Sequence, residues 1–294
     1  MTIKMTLSKG AKKFIRITPR LSKSEAEELA HKAMRNALVE GLKSVLRRKQ
    51  ADITTTDALL TYHPFWIIRA QSFFEYTRKD QYRFNVPPEV QEFRISSQAF
   101  RTPEGQCTIE GESTCFENYQ ESAIQDALDE KGTDFARYEE YEHKSLKDLR
   151  AIRDGKVPDV NVRASYVLNT LYSKIIKPIN ADRVKESRVE IDRLELWLIP
   201  TYVFTICADG ADKTLTVDGI TGEVLKDSSL IKRLTQKYWS GDTVFDIGSE
   251  VAATFVPGAG VGMVLARKGI ESIKNKKTAA TRTKFRSVYE ERKK

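Results

Sequence analysis

The amino-acid sequence predicts an α+β protein made of a duplicated unit, a helix followed by an antiparallel β-meander, with a helical segment at the C-terminus. A stretch of helical periodicity precedes a stretch rich in β-branched and aromatic residues, and the same order returns later in the chain. The segments DALLTYHPFWIIRA from Asp57 and DRLELWLIPTYVFTI from Asp192 share an aspartate, an apolar run, a proline and an apolar tail. This similarity indicates an internal duplication.

These observations divide the 294 residues into four regions. A first α/β module spans residues 1–94, an acidic insertion with its linker 95–160, a second α/β module 161–230, and a helical hairpin with a basic tail 231–294. A chain of this length is long enough to bury a sizeable core in more than one domain.

The first module begins with a short strand, KFIRITP, and continues with a helix over residues 22–48. Ser22 and Glu25 have the spacing of a capping box, and apolar residues recur on one helix face. Residues 52–86 are rich in β-branched and aromatic side chains and are broken by Lys79–Asp80. This composition predicts two or three antiparallel strands that follow the helix.

The second module begins with a helix over residues 163–177, which Pro178 ends, and continues with strands that turn at Asp209–Gly210 and Asp218–Gly219. Side chains of aspartate and threonine bond backbone amides in tight turns, so the second turn is expected to be structural. Its sequence, KTLTVDGITGEVL over residues 213–225, resembles the closing hairpin of a PepSY-type domain. The resemblance covers residues 163–225 and implies a fold, with no catalytic residue carried over. The first module lacks the Asp-Gly-x-Thr-Gly turn and therefore departs from the PepSY-type pattern.

The insertion contains two of the three cysteines, Cys107 and Cys115. A turn at Glu110–Gly111 is expected to bring them together in a hairpin, either as a disulfide or metal pair or, as we favour, as two unpaired side chains. One or two acidic helices, broken near Gly132, are expected to follow. An odd number of cysteines without an apolar N-terminal signal favours a reducing cytoplasm.

The stretch TYHPFWIIRA is expected to be a strand whose side chains alternate between two faces. Phe65, Ile67 and Arg69 share one face, and Trp66, Ile68 and Ala70 share the other, which we expect to pack under the helix of residues 22–48. The second copy replaces His63 and Arg69 with Ile199 and Thr205. His63 and Arg69 are therefore candidate binding residues.

The favoured function is a non-catalytic binding or assembly module that engages a protein partner or a second copy of itself. Catalysis would require a nucleophile with its base, a metal cluster or a phosphate cradle, and the sequence shows none of these patterns. We therefore expect no enzyme activity, no cofactor and no metal.

Two alternatives use the positive charge of the chain, which has a formal net charge of +8. A nucleic-acid-binding protein would use the basic ends together with sheet aromatics such as Phe65, Trp66 and Tyr76. A peripheral membrane protein would use an apolar hairpin within residues 243–277, followed by Arg267, Lys268 and Lys274, to contact an anionic membrane surface. The predicted location is the cytoplasm, with membrane association as the alternative.

Overall fold

The computed structural model describes residues 2–41, 53–129, 135–208, 210–225, 227–241, 244–245 and 250–254. Nine of the described strands form one mixed sheet, and two form a separate hairpin. The strands are β1 (Thr2–Leu7), β2 (Lys12–Ile17), β3 (Ile53–Asn85), β4 (Glu92–Ile95), β5 (Gln98–Arg101), β6 (Gln106–Asp126), β7 (His143–Leu146), β8 (Arg183–Ala208), β9 (Ala211–Asp218), β10 (Val224–Leu225) and β11 (Glu250–Thr254). The helices are α1 (Lys23–Gly41), α2 (Ala164–Ile175) and α3 (Ser228–Gln236).

Three long antiparallel strands form the centre of the sheet, in the order β8, β3, β6. β3 pairs with β8 from Ile53 to Thr77, and with β6 from Phe65 to Asn85. The middle of β3 therefore has a partner on each side, whereas its last residues have β6 alone. This offset produces a two-stranded extension, which we call the arm, formed by residues 78–85 and 106–113.

The second edge of β8 is shared by shorter strands along its length. β9 pairs antiparallel with its C-terminal part, while β2 and β1 pair parallel with its middle and N-terminal parts. β7, β10 and β11 extend the sheet beyond β2, β9 and β1 respectively.

Both faces of the sheet centre are covered, which explains why its strands read as continuous apolar runs. α2 packs on one face, over the cluster that contains Trp66 and Ile68. Phe65 and Ile67 point to the other face, where Phe135 and Tyr138 cover them. α1 packs further along, against β8 and β9. The predicted alternation along TYHPFWIIRA is thus confirmed, but Trp66 lies under α2 and not under α1.

The predicted α+β fold with a duplicated helix-plus-meander module is wrong, because the protein is mostly β and has one large mixed sheet. The two segments interpreted as copies lie in β3 and β8, which pair with each other, so that Pro64 faces Leu198 and His63 faces Ile199. Both strands cross the same buried centre. Their similar composition therefore reflects a similar environment in one sheet.

The predicted break at Lys79–Asp80 is also wrong, since β3 continues through it for 33 residues. The predicted turn at Glu110–Gly111 is wrong as well, because β6 is continuous for 21 residues. Cys107 and Cys115 are free, as we favoured. At Gly111 a β-carbon would lie 3.3 Å from Cε2 of Tyr82, so the glycine makes room for a cross-strand ring. The acidic helices are replaced by the end of β6, two short 3₁₀ helices and β7.

Several local predictions are confirmed. The Ser22 amide donates to Glu25 Oε2 at 2.7 Å and the Glu25 amide to Ser22 Oγ at 3.3 Å, which is the predicted capping box. α2 ends at Ile175, ahead of Pro178. Asp218 Oδ1 accepts from the amides of Ile220 and Thr221, as expected for a structural turn.

The predicted C-terminal helical hairpin is wrong where it is described, since Glu250–Thr254 form β11 beside β1. The remainder of that hairpin and the basic tail lie outside the described residues.

Candidate interaction site on the arm and its edge strand

The arm carries a small hairpin, β4 and β5, at its tip. The ring of Phe93 meets that of Phe84 at 5.3 Å in an edge-to-face contact, and the amide of Val86 donates to the carbonyl of Gly105 at 2.8 Å. The hydroxyl of Thr102 donates to the carbonyl of Val90. These contacts connect the tip to the two long strands.

The hydrogen bonds at the two ends of the β3–β6 ladder show which groups of β6 face outward. The Val86 amide bonds Gly105, and the Ala127 amide bonds the carbonyl of Pro64 at 3.1 Å. Because bonded and non-bonded pairs alternate in an antiparallel ladder, the odd-numbered residues of β6 bond β3. The even-numbered residues between them point their N–H and C=O groups away from β3, toward the free edge.

This edge is unpaired over most of its length. β6 pairs with β3 alone among the described strands, and no described residue bonds the outward backbone groups of residues 108–120. A strand edge of this length is a template for another extended chain. The backbone of β6 therefore offers a row of donors and acceptors to a partner.

The side chains along the edge are acidic, with one large apolar group. β6 contains five carboxylates and no lysine or arginine. Phe116 is 64% exposed on the same face as the exposed Glu110 and Glu112. A ring so exposed in the middle of an otherwise polar face is available as an anchor for a partner.

Tyr76, one of the predicted site residues, lies at the root of the arm in a network with two neighbours. Its hydroxyl and that of Tyr119 donate to the two carboxylate oxygens of Glu117. The bond from Tyr119 makes the largest contribution to lowering the pKa of Glu117, and the bond from Tyr76 contributes next. The same bond to Glu117 raises the pKa of Tyr76 to about 12. Lys177 Nζ lies 4.4 Å from the centroid of the Tyr119 ring. The network joins β3, β6 and the segment after α2.

The structure does not bring the predicted site residues together. His63 is buried, and its Nε2 lies 3.0 Å from Asp126 Oδ1. Arg69 Nε donates to Asp192 Oδ2 at 2.8 Å in a partly exposed ion pair. A strand rises about 3.3 Å per residue, so the distance along β3 is roughly 20 Å from His63 to Arg69 and roughly 20 Å again from Arg69 to Tyr76. Arg267, Lys268 and Lys274 lie outside the described residues.

The aromatics proposed to stack on bases are not accessible, because Phe65, Trp66 and Tyr76 are all buried. The sequence interpretation missed the edge of β6 and its Phe116. The signal that was available is the period-two alternation of TIEGESTCFENYQ, which is typical of a strand with one solvated face.

In the described part of the chain, no group of three or more histidine, cysteine, aspartate or glutamate side chains is placed to hold a metal ion. None of the helices described here has the length and apolar composition that crossing a membrane requires. Comparison with protein-family models, with curated proteins and with solved structures finds no match for this chain. The resemblance to PepSY-type domains stays a prediction.

Proposed function

We propose that this protein is a non-catalytic assembly module that captures an extended, basic segment of a protein partner along the free edge of β6. The observation that carries the proposal is the row of outward N–H and C=O groups over residues 108–120, which no described residue bonds. Addition of a partner strand would satisfy these groups with backbone hydrogen bonds, which supply affinity independently of the partner's sequence.

Charge selects the chemistry of the partner. Two copies of β6 paired edge to edge would place only carboxylates and neutral groups in register, because the strand has five acidic residues and no basic ones. Like charges on paired strands are destabilising, and edge charges of this kind discourage self-association. A segment that alternates lysine or arginine with β-branched residues would instead extend the sheet with its basic side chains on one face, the face of Glu110 and Glu112.

A proline substitution at Thr114 tests the proposal. The outward N–H of Thr114 makes no bond to β3, so Thr114→Pro removes a donor only from the free edge and is tolerated on an edge strand. Thr114→Ala is the matched control, because it removes the same side chain and keeps the N–H. For both variants, we expect the free energy of unfolding to lie within about 1 kcal/mol of the parent value.

The probe is a synthetic peptide of alternating lysine and threonine, compared with a glutamate–threonine peptide of equal length. We expect the lysine peptide alone to bind, more weakly as salt is raised, and to protect the amides of Thr114 and Phe116 from hydrogen exchange. Thr114→Pro should abolish binding and Thr114→Ala should retain it.

Equal binding by both variants, or no binding of the lysine peptide, would overturn the proposal. Light scattering that shows a dimer sensitive to Thr114→Pro would replace the basic partner with a second copy of the chain.

A further inference from the structure

A cavity of about 390 Å³ lies between the long strands and the elements that cover them. Its walls come from β3, β6 and β8, the 3₁₀ helix Ala136–Glu140, and the segment that leads from β9 into α3. Its volume is within the range of about 300–1,000 Å³ that small-molecule pockets occupy. The free edge over residues 108–120 takes no part in these walls. The cavity is therefore separate from the partner surface proposed above.

Carboxylates outnumber cations around this cavity. Two guanidinium groups line it, and each already has a partner: Arg137 Nη2 lies 3.2 Å from Glu223 Oε2, and Arg233 Nη1 lies 3.2 Å from Asp129 Oδ2. None of the described lysine or arginine side chains forms an ion pair with the other three carboxylates of the lining. These are Asp126, Asp218 and Asp227. The cavity therefore keeps an excess of negative charge.

Asp126 carries the buried part of this charge, since its side chain is 6% exposed. Its Oδ1 accepts from the amide of Leu128 at 2.8 Å and from His63 Nε2 at 3.0 Å. Its Oδ2 accepts from no described residue and, unlike Arg233 Nε, retains accessible surface. A buried carboxylate oxygen without a donor is costly, so a donor on a ligand in the cavity would be favourable there.

A second carboxylate lies at the mouth of the cavity. Asp227 is exposed and begins α3, and its Oδ1 accepts from the amides of Ser229 and Leu230. Its Oδ2 has no partner among the described residues. Asp126 and Asp227 therefore place one acceptor in the interior and one at the surface.

The rest of the lining favours an organic cation over a metal ion. Among the described residues, no three side chains of the metal-binding types are grouped to hold a metal ion. Phe135, Leu225 and Leu230 add apolar surface to the walls. Separated carboxylates with apolar surface suit a ligand whose positive charges are joined by hydrocarbon.

We propose that this cavity binds a linear aliphatic diamine, with one ammonium on Asp126 Oδ2 in the interior and the other beside Asp227 at the mouth. The methylene chain lies against Phe135, Leu225 and Leu230. The two positive charges of the ligand offset the excess of carboxylates.

Calorimetric titration with putrescine, cadaverine and hexamethylenediamine tests the assignment, with butylamine, pentylamine and hexylamine as monoamines of matched length. We expect at least one diamine to bind at millimolar concentration or below. It should bind about fivefold more tightly than its monoamine, because its second ammonium interacts with an exposed carboxylate.

Asp126→Asn tests the buried contact. The carboxamide oxygen keeps the bonds from Leu128 and His63, while an N–H group replaces Oδ2, so the affinity for diamine and monoamine should both fall by about tenfold or more. Glu92→Gln removes a carboxylate from an exposed ion pair in the tip hairpin and should leave both affinities unchanged. Circular dichroism melting establishes that each variant is folded.

Asp227→Asn tests the contact at the mouth. Asparagine caps helices as well as aspartate does, so α3 keeps its N-cap and the cavity loses only a charge. The affinity for the diamine should fall to about that for the monoamine, and the affinity for the monoamine should stay the same.

Failure of all three diamines to bind at millimolar concentration would overturn the proposal. Equal affinity for each diamine and its monoamine would also overturn it, as would an affinity that Asp126→Asn leaves unchanged. None of these outcomes bears on peptide binding at the free edge of β6, so the two proposals fail separately.

Discussion

The middle of β3 and its C-terminal part belong to one strand but lie in opposite environments. Around Phe65 and Trp66, β3 has partners on both edges and packed layers on both faces, and both rings are fully buried. In the arm, the same strand has one partner, and Tyr82 on β3 is 47% exposed. Phe116 on β6, just before the arm begins, is 64% exposed.

This difference separates two kinds of polar group. Around the buried middle of β3, polar side chains such as Asp126 and Asp218 make several internal hydrogen bonds, because an unsatisfied group there would be costly. Along the arm, backbone groups remain open to solvent and to a partner. The number of neighbouring strands, and not the composition of β3, decides which role each part takes.

The largest contrast is expected from truncating one ring in each environment. Trp66→Ala should lower the free energy of unfolding by about 3–5 kcal/mol, because it opens a cavity under α2 and removes the bond from Nε1 to the carbonyl of Val162. Phe116→Ala should change it by less than about 0.5 kcal/mol. Urea denaturation measures both, and similar losses would contradict the proposed difference in environment.

A smaller effect is expected from the buried turn. Asp218 accepts from the hydroxyl of Tyr138 and from two backbone amides, so Asp218→Ala should destabilise the protein by roughly 2–4 kcal/mol. The counterpart at the tip is Arg94→Ala, which breaks an exposed ion pair with Glu92 and should cost about 0–1 kcal/mol. Thermal and chemical unfolding of Asp218→Ala and Arg94→Ala measures the two losses in free energy of unfolding, and equal losses would contradict the comparison.

Shortening the arm should affect binding more than stability. Asp80 and Gly111 face each other across the ladder, so joining them through Asn-Gly replaces residues 81–110 with a tight hairpin. We expect the unfolding free energy to stay within about 1 kcal/mol of the parent value, because the strands in the removed part pair only with one another. Binding of the lysine–threonine peptide should weaken, and unaltered binding would limit the site to the root of the arm.

The smallest effect concerns pH at the arm root. The pKa of Glu117 is lowered in the folded protein, so its contribution is present above the unfolded carboxyl pKa of about 4.3 and is lost as pH falls through the folded value. The pKa of Tyr76 is raised to about 12, so its contribution is present below about pH 10 and is lost as pH rises toward 12.

Tyr76→Phe removes one of the two bonds to Glu117, and NMR titration should show the Glu117 pKa move back toward its ordinary value. Tyr82→Phe, farther along the arm, is the control and should leave the Glu117 pKa unchanged. A Glu117 pKa unaffected by Tyr76→Phe would contradict the network.

The sequence identifies one residue of the candidate site, Tyr76, but predicts for it a role that the structure does not support. The sequence places Tyr76 among the aromatics expected to stack on bases, whereas its ring is buried and its hydroxyl donates to Glu117. Phe116 was missed because Glu110–Gly111 was interpreted as a turn. The repeat that makes His63 a candidate is absent from the fold, and the histidine is instead buried against Asp126, a residue 63 positions away.

The sequence by itself determined the features that depend on neighbouring residues: the capping box at Ser22, the end of α2 before Pro178, the turn at Asp218 and the alternation of side chains from Phe65 to Ala70. Only the tertiary structure decided how the strands pair, because antiparallel ladders join residues more than a hundred positions apart, such as Phe65 and Trp197. Pairing partners determine which strand has two neighbours and which has one. That count is what leaves the edge of β6 open and encloses His63.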